Sequence, residues 1–571
     1  MKYLKLLIIF GGFSWLFMSC QDEDFLDRYP LDQVTDAVFF RQPDDMKIYL
    51  NQFYNRSNFP HQYYSRGDLD SDIHFTHNYI DNRLAGTMTI NSGPGLAYGN
   101  IRAVNYFFDN YRKCTADFET YKHYVGEAHF FRAFFYYNLL VNFGDVQWVG
   151  KVLGTNSPEL YGARDSRMVV ADKIIADLDS AAMYLPADKT NGYSRINKWI
   201  ALLFQSRVAL YEGSWQKYHV NGPFAVANAQ PEKYFSKAVE AANTVMTSGL
   251  YDIYTTGKPN TDYVDLFGLR DYATNKEVMF WNKMRLDLGV HAARKLNYLA
   301  WPMGFGITRS LADSYLCQDG LPIAVSPLFK GYNTISEEAQ NRDPRFFQTI
   351  FTPEMPWMIT NGVTTNWLDV YNKLFTNNDF TAPTGYHRRK HYNPNTAYHH
   401  LNFEETPSIQ FRYAEVLLNY AEAKAELGTL TQEDINKSVK KLRDRVGMPN
   451  LVINNIANDP NWEFPALSPL INEIRRERKI ELALESFRFN DIARWAAADE
   501  LIVGKRPKGA KAAQFKIAPP YPVDANGFID PLATALPAGW AFKVDRDYLY
   551  PIKESELVLN PNLGQNPGWG N

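Results

Sequence analysis

Apolar residues recur at helical spacing in several long segments of the chain. In residues 121–143, Val125, Ala128 and Phe131 fall on one face of a helix, and Gly144 follows the last apolar position. This spacing predicts a buried helix that ends at the glycine. Comparable patterns, each followed by glycine, predict helices at 197–212, 231–247 and 408–427, and a further stripe predicts a helix at 431–446.

Small residues in these helices indicate how they pack. Ala421 and Ala425 lie four residues apart on one helix face, where small side chains let a neighbouring helix approach closely. Helix pairs of this kind resemble tetratricopeptide units, which stack into a concave scaffold. We therefore expect a mainly α protein with a tetratricopeptide-like helical scaffold, formed by residues of about 41–57, 100–250 and 405–500.

The intervening stretches have a different pattern. Residues 251–404 carry short segments of β character, such as 277–281, among many Asn, Gly and Pro residues, with no sustained helical period. Residues 58–99 and 504–545 are similarly irregular. Loops held on a rigid scaffold are where binding residues concentrate, so we expect these stretches to form a loop-rich, ligand-facing part.

The first twenty residues indicate where the protein is sent. Lys2 and Lys5 precede an apolar run from 6 to 18 that is too short to cross a bilayer, and Ser19 precedes Cys20. A small residue directly before cysteine resembles a bacterial lipobox, which predicts a signal peptide at 1–19 and acylation of Cys20. A plain secreted protein with a chance cysteine at this place is the alternative. We expect 20–40 to be a lipidated tether and leader, and 41–571 to form one domain.

Composition narrows the classes of partner. The formal net charge of the 571 residues is -3, and no dense Lys/Arg cluster occurs, which argues against a nucleic-acid partner. Apart from Cys20, the cysteines are Cys114 and Cys317, so the chain has neither a disulfide framework nor a CxxC metal motif. Aromatic residues make up 15% of the chain, and many stand in loops, which suggests a surface that stacks on flat ligands.

Motifs at both ends of the chain resemble the RagB/SusD family of starch-utilisation-system outer-membrane lipoproteins. The leader after Cys20 reads DEDFLDRYPLDQVTDAVFF, and the chain closes with YLYPIKESELVLNPNLGQNPGW. Between them, FRYAEVLLNYAEAKAELG (411–428) and INEIRRERKIELALESFRFNDIARW (471–495) are similar to the two most recognisable helices of the family. The resemblance is weakest across residues 251–404.

The resemblance implies a non-enzymatic, cofactor-free glycan-binding lipoprotein on the outer-membrane surface of Bacteroidota-type bacteria. The resemblance also implies a role as the lid of a SusC-like TonB-dependent transporter. In this role the protein captures oligosaccharide or polysaccharide and passes it into the transporter. The acidic residues 22–24 resemble the export signal of such lipoproteins. The alternative to glycan capture is a peptide-capture lid of the RagB type, and an enzyme acting on polysaccharide is a third hypothesis.

Three groups of residues could suggest catalysis or metal binding. Glu477, Glu481 and Glu485 are spaced four apart, as glycosidase carboxylates could be, but arginines are interleaved with them. Positive neighbours keep carboxylates ionised, whereas a general acid needs a raised pKa, so an ion-pair network is the better interpretation. For the other sets we prefer a polar loop and surface histidines to metal ligands: Asp68, Asp70, Asp72, His74 and His77, and His387, His391, His399 and His400.

Three patches combine aromatic rings with amide or guanidinium groups, as a sugar-binding surface requires. A pyranose packs its C–H face on an aromatic ring, and its hydroxyl groups need donors and acceptors such as Asn and Arg. Trp357 and Trp367 are weaker candidates, and Trp199, Trp215 and Trp495 are expected to be packing residues. The predicted glycan-binding residues are Trp281, Asn282 and Arg285 in the first patch, Tyr298 and Trp301 in the second, and Tyr79, Asn82 and Arg83 in the third.

Overall fold

A computed structural model describes residues 39–60, 67–189, 195–291, 299–400 and 403–570. Cys20, the predicted signal peptide, most of the leader and Tyr298 lie outside the described residues. The helices are α1 (Pro43–Leu50), α2 (Gly99–Asn110), α3 (Phe118–Phe143), α4 (Arg167–Tyr184), α5 (Lys198–Tyr218), α6 (Pro231–Thr247), α7 (Asp262–Gly268), α8 (Arg309–Ser314), α9 (Ile335–Ala339), α10 (Arg345–Thr349), α11 (Leu368–Tyr371), α12 (Tyr413–Glu426), α13 (Gln432–Lys437), α14 (Val439–Arg445), α15 (Pro469–Glu481), α16 (Arg488–Arg494), α17 (Ala498–Leu501) and α18 (Glu554–Leu559). The strands are β1 (His74–Thr76), β2 (Val278–Asn282), β3 (Phe305–Ile307), β4 (Pro356–Thr360), β5 (Val363–Asn366) and β6 (Ser408–Arg412).

The long helices form a stacked scaffold. Helix α3 packs on α4, α4 on α5, α5 on α6, α6 on α12, and α12 on α15. One apolar core runs through this stack and includes Phe131, Phe204 and Leu417, all of them fully buried. The chain is thus mainly helical with a tetratricopeptide-like scaffold, which confirms the predicted fold class. Within the described residues, no helix is both long enough and apolar enough to cross a membrane.

Local signals explain where helix α3 begins and ends. Asp117 caps its N-terminus, because the carboxylate accepts a hydrogen bond from the backbone N–H of Glu119 at 3.0 Å. Gly144 ends the helix with φ of 71°, a conformation that side chains with a Cβ rarely adopt. The helix predicted at 121–143 is therefore confirmed and begins three residues earlier.

Helix α5 does not end at Gly213 as predicted. It continues to Tyr218, and Gly213 lies at a close contact with α6. A Cβ at this position would stand 3.0 Å from the ring of Phe235, so the glycine permits the two helices to approach. Here the glycine serves packing instead of helix termination.

Three further boundaries differ from the predictions. Residues 408–412 form strand β6, and the helix begins only at Tyr413, because β6 pairs with β2. The helix predicted at 431–446 is broken at Ser438, whose backbone (φ -124°, ψ -91°) is not helical. The 471–495 motif is likewise two helices, since Leu484 and Ser486 adopt positive φ between α15 and α16.

The loop-rich part has its own apolar core and three two-stranded antiparallel sheets. The sheets are β1–β3, β2–β6 and the β4–β5 hairpin, so the predicted strand at 277–281 is confirmed as β2. Phe351, Trp367 and Phe515 pack in the second core together with Ile480 and Leu484 from the end of α15. The sheet β2–β6 leads directly into α12, which attaches this part to the scaffold.

Candidate ligand-binding surface

Pairing of β1 with β3 brings two of the predicted patches together. His74 faces Ile307, and Thr76 faces Phe305. Beyond this pair the two chains stay in contact, because the backbone N–H of His77 donates to the carbonyl of Gly304 at 3.1 Å. The side chain of Asn78 donates to the carbonyl of Met303 at 3.2 Å. The loop that carries Tyr79 therefore lies beside the loop that carries Trp301.

A third loop completes this region. The backbone of Met303 donates to the carbonyl of Asp379 at 3.1 Å, and Gly304 donates to Thr381 at 2.8 Å. These bonds place the exposed amide side chains at 377 and 378 in the same region. We call this region the Trp301 surface, and we define it as Asn78, Tyr79, Trp301, Asn377 and Asn378.

The indole of Trp301 is held by neighbouring rings while part of it stays accessible. Its ring meets Trp357 edge to face at 4.8 Å between centroids, and Phe380 at 4.9 Å. Trp357 is fixed in turn, because its Nε1 donates to the carbonyl of Ala300 at 2.9 Å. Trp301 is half-buried, and 48% of Tyr79 is exposed. A rigid, partly exposed indole beside exposed amides can stack on a sugar ring and bond its hydroxyls.

Two titratable groups beside this surface, His77 and Tyr521, are neutral near pH 7. The imidazole of His77 hydrogen-bonds the hydroxyl of Tyr521. Partial burial lowers the pKa of His77, and burial raises the pKa of Tyr521 to about 12. The polar groups of the Trp301 surface are amides and a phenol, so we expect its binding chemistry to change little with pH between about 6 and 9.

The first predicted patch is divided between the interior and the surface. Trp281 is only 3% exposed and packs edge to face on Tyr272 at 5.3 Å. The side chain of Asn282 donates to the carbonyl of Phe59 at 2.7 Å. Arg285 is exposed and pairs with Asp287. The expectation of a surface ring at Trp281 is therefore corrected: β2 is covered on both sides, and the indole belongs to a small apolar core.

The third predicted patch is also divided. Tyr79 and Asn82 are exposed, but Arg83 is only 8% exposed. The Arg83 guanidinium lies over the rings of Phe489 at 4.5 Å and Tyr550 at 3.8 Å. This corrects the expectation for Arg83, whose cation–π contacts join the loop to the C-terminal segment instead of meeting a ligand.

The spaced glutamates form a buried ion-pair network, as predicted, but their partners are not the arginines interleaved with them, which pair with other carboxylates. Glu481 is fully buried and accepts hydrogen bonds from Arg445 at 2.6 Å and from Arg412 at 2.8 Å. Burial alone would raise the pKa values of Glu477, Glu481 and Glu485, but the cationic partners of each carboxylate lower them. A carboxylate held ionised in this way cannot serve as a general acid. The cationic partners come from distant parts of the chain: Arg345, Lys390, Arg412, Arg443 and Arg445.

The metal alternative finds no geometric support in the part of the chain that the structure describes. No group of three or more His, Cys, Asp or Glu side chains there could hold a metal ion. Asp72 instead pairs with Arg488 at 2.7 Å, and the Nδ1 of His74 contacts the carbonyl of Gly67 at 2.7 Å. Asp68 and His74 are buried, which corrects the expectation of a solvated polar loop at these positions. Cys114 and Cys317 are both free thiols.

The expectation of surface histidines is wrong for two of the four. His387 and His391 are buried, whereas His400 is exposed and His399 is half-buried. His387 stacks on Phe351 with ring centroids 5.3 Å apart. Burial lowers its pKa well below the usual value, so this imidazole is neutral.

Some residues of the Trp301 surface carried no signal at the level of sequence. Asn78, Asn377 and Asn378 are not among the predicted residues. Of the two rings that hold the indole, Trp357 is only a weak candidate in the sequence and Phe380 is not a candidate. The run of polar residues at 376–379 directly before an aromatic residue could have drawn attention to this loop. By contrast, the buried positions of Trp199, Trp215 and Trp495 confirm that these residues serve packing, and Trp367 is buried as well.

Comparison with protein families identifies the class of protein. A model of the SusD family matches residues 270–569, and a second model, described as starch-binding associating with outer membrane, matches residues 25–210. The first match covers more than half of the chain, so the chain belongs to the SusD family. Proteins of this family bind ligands without catalysis, which agrees with the expectation of a non-enzymatic chain.

Individual relatives agree with this assignment. A SusD-like protein of Formosa agariphila is 26% identical over 478 residues, which cover 83% of this chain and 79% of the relative. The crystal structure of a SusD-like protein from Bacteroides fragilis matches with a TM-score of 0.71 and 23% identity, covering 95% of this chain and all of that one. A SusD-like carbohydrate binding protein from the same species has a TM-score of 0.70 and 21% identity, with coverage of 92% and 100%. At such identities, the structural matches establish the shared fold.

Proposed function

We propose that this protein is a cell-surface glycan-binding lipoprotein that captures oligosaccharide or polysaccharide at the Trp301 surface. The observation that carries the proposal is the convergence of three loops, distant in sequence, on one half-buried indole beside exposed amides. A pyranose needs this combination of a flat apolar face and non-titrating hydrogen-bonding groups. One matching family model is described as starch-binding and one structural relative as a carbohydrate binding protein, which supports the same ligand class.

The shape of the Trp301 surface suggests the strength of binding. Trp301 is half-buried against Trp357 and Phe380, so only part of its ring is open to a sugar, and a bound sugar keeps much of its own surface in water. Ordering a flexible oligosaccharide also costs conformational entropy. We therefore expect weak affinity for single short oligosaccharides and stronger apparent binding to polysaccharides, which offer many copies of one epitope.

The residues around Cys20 support the proposed organisation of the chain. Residues 1–19 act as a signal peptide, Cys20 carries the lipid, and 41–571 form one domain that a short leader separates from the outer membrane. A single acyl chain holds a protein only marginally, whereas the multiply acylated cysteine of a bacterial lipoprotein is a firm anchor. In this arrangement the captured glycan passes to a TonB-dependent transporter in the same membrane.

Glycan binding is tested with the chain lacking residues 1–20. Affinity electrophoresis against a polysaccharide panel, followed by calorimetry with the best ligand, compares the unmodified chain with Trp301→Ala and Tyr79→Ala. Trp569→Ala is a matched control, because Trp569 is also half-buried but lies near the C-terminus under the guanidinium of Arg546. If Trp301→Ala and Trp569→Ala bound the glycan equally well, the assignment of the binding site to the Trp301 surface would be wrong.

The same panel distinguishes the peptide alternative. Measurable binding of a peptide mixture, together with no binding of any glycan, would replace the glycan proposal with a peptide-capture role. Anchoring is tested separately by incorporation of radiolabelled palmitate into the full chain and into Cys20→Ala. Delivery is tested by co-purification of a TonB-dependent transporter with the lipidated protein.

A further inference from the structure

A cleft opens at the opposite end of the β1–β3 pair from the Trp301 surface. Beyond Ile307, the hydroxyl of Thr308 donates to the carbonyl of Asp72 at 2.5 Å, and the hydroxyl of Ser310 donates to the Asp72 carboxylate at 2.8 Å. Two adjoining cavities of about 700 and 590 Å³ begin here. They share Arg309, Ser310, Asp313, Trp462 and Glu463, and we call the joined space the Arg309 cleft.

The Arg309 cleft has the size of a ligand site. Each of its cavities falls within the range of roughly 300–1,000 Å³ that is usual for small-molecule sites. It lies between the loop-rich part, which supplies Arg309 and Tyr332, and the scaffold side, which supplies Trp462 and Glu500. A site between two packed parts of a protein is a frequent location for a ligand.

The charged groups that line the cleft are largely neutralised by one another. Arg309 pairs with Asp313 at 2.9 Å, and Glu463 pairs with Lys479 and with Arg488. On the remaining wall, Arg506 pairs with Asp530 at 2.8 Å and Lys508 with Asp524 at 2.7 Å. The exposed side chains of Glu500 and Lys505, which also line this wall, carry opposite charges. Because these walls carry little uncompensated charge, they favour a neutral polar ligand over an ion.

One donor in the cleft lacks a partner. The Nη1 of Arg309 is buried and has no hydrogen-bond partner among the described residues. The guanidinium is held between two rings, 3.5 Å from the centroid of Phe528 and 4.3 Å from that of Tyr332. A buried donor without a partner costs free energy, and a small displacement of the guanidinium towards the cleft would let a ligand oxygen remove this cost.

An indole lines both cavities beside this donor. Trp462 is half-buried, and the guanidinium of Arg476 lies 4.9 Å from its ring centroid. This contact fixes the indole at the point where the two cavities meet. Together, Arg309 and Trp462 supply a rigid donor and a flat apolar ring, the pair of groups that recognises a sugar.

We propose that the Arg309 cleft is a second carbohydrate site, which binds a neutral oligosaccharide independently of the Trp301 surface. Ligand oxygens accept from Arg309, and the ring of Trp462 packs against a C–H face of the sugar. The choice of a carbohydrate rests on the proposed function, whereas the site itself rests on the cleft, the unpartnered donor and the indole. A chain with two such sites would hold one polysaccharide at two places and gain avidity.

Hydroxyl-radical footprinting tests the two sites separately. Oxidation of Trp301 and of Trp462 is measured by mass spectrometry with saturating maltoheptaose, cellohexaose or xylohexaose, with Trp569 as the internal reference. We expect one of these glycans to protect both Trp301 and Trp462. Protection of Trp301 alone throughout the panel would overturn the second site, and protection of Trp462 alone would overturn the Trp301 assignment. Protection at neither position would overturn both.

Variants establish the chemistry of the cleft. In a Trp301→Ala background, we expect the remaining glycan affinity to fall about tenfold with Trp462→Ala and several-fold with Arg309→Lys. The lysine retains the charge beside Asp313 but removes the unpartnered Nη1, so it is informative even if the alanine variant folds poorly. Unchanged affinity in Arg309→Lys would contradict the proposed donor. Tighter binding of trigalacturonic acid than of any neutral glycan would contradict the ligand class.

Discussion

The helical scaffold and the loop-rich part use the same abundance of aromatic residues in different ways. In the scaffold, Trp215 and Phe131 are completely buried. In the loop-rich part, Trp301 and Trp357 are half-buried and lie beside exposed amides. The periodic helices bury a continuous stripe, whereas irregular loops can hold a ring at the surface by edge contacts. The comparison shows that aromatic content alone does not identify binding residues.

The two parts meet at helix α15. Its glutamates pair with Arg345 from the loop-rich part and with Arg412 and Arg445 from the scaffold side. Such buried pairs add little stability compared with a well-packed apolar replacement, but removal of one partner leaves an uncompensated charge. The network therefore makes the position of the binding loops depend on the scaffold.

Acid is expected to have the largest effect on the ion pairs that join the scaffold to the loop-rich part. The pKa values of Glu477, Glu481 and Glu485 are lowered in the fold, so their stabilisation is complete above about pH 4.5 and is lost as pH falls through the folded values. Neutral His387, whose pKa is lowered from 6.5, acts in the same direction, because the unfolded chain takes up its proton first.

We expect the free energy of unfolding to fall as the pH drops, most steeply below about pH 4.5, where these carboxylates take up protons in the unfolded chain before they do so in the fold. Urea unfolding between pH 3 and 8 measures this dependence. A stability that stays constant from pH 8 down to pH 4 would contradict it.

A single substitution removes the centre of the network. In Glu481→Gln, Arg412 and Arg445 lose a buried carboxylate, and we expect a loss of about 3–5 kcal/mol in the free energy of unfolding. Glu433→Gln, at an exposed position of α13, is the matched control and should change little. The measurement is urea unfolding at pH 7, and equal stability of the two variants would show that the network is dispensable.

Trp301→Ala separates binding from folding. We expect glycan affinity to fall about tenfold, which is about 1.4 kcal/mol, because a central aromatic contact is lost. The free energy of unfolding should change less than in Glu481→Gln, since the indole is only half-buried. Calorimetry and urea unfolding on the same sample give both values. A large stability loss with intact affinity would place Trp301 among the packing residues.

The smallest effect is expected at the first predicted patch. Arg285 is exposed and forms a surface ion pair with Asp287. Surface pairs of this kind are screened by water and salt. Arg285→Ala should leave both the melting temperature and the glycan affinity unchanged within error. Loss of affinity in this variant would extend the binding surface towards β2.

The sequence by itself predicted the long helices, the irregular part and the family. Helical period and caps are local properties, and α3 and α6 therefore agree with their patterns to within a few residues. The prediction that Glu477, Glu481 and Glu485 form ion pairs also followed from nearby charges. Their actual cationic partners are mostly far away in the chain, however, and no spacing rule could name them.

Only the tertiary structure decided which predicted residues form one surface. Pairing of β1 with β3 joins the Tyr79 and Trp301 loops, and the β2–β6 pair buries Trp281. Whether a ring is exposed depends on what packs over it, and the residues that do so lie tens to hundreds of positions away. For this reason the sequence determined the composition of the binding loops, and the fold determined which of their side chains face a ligand.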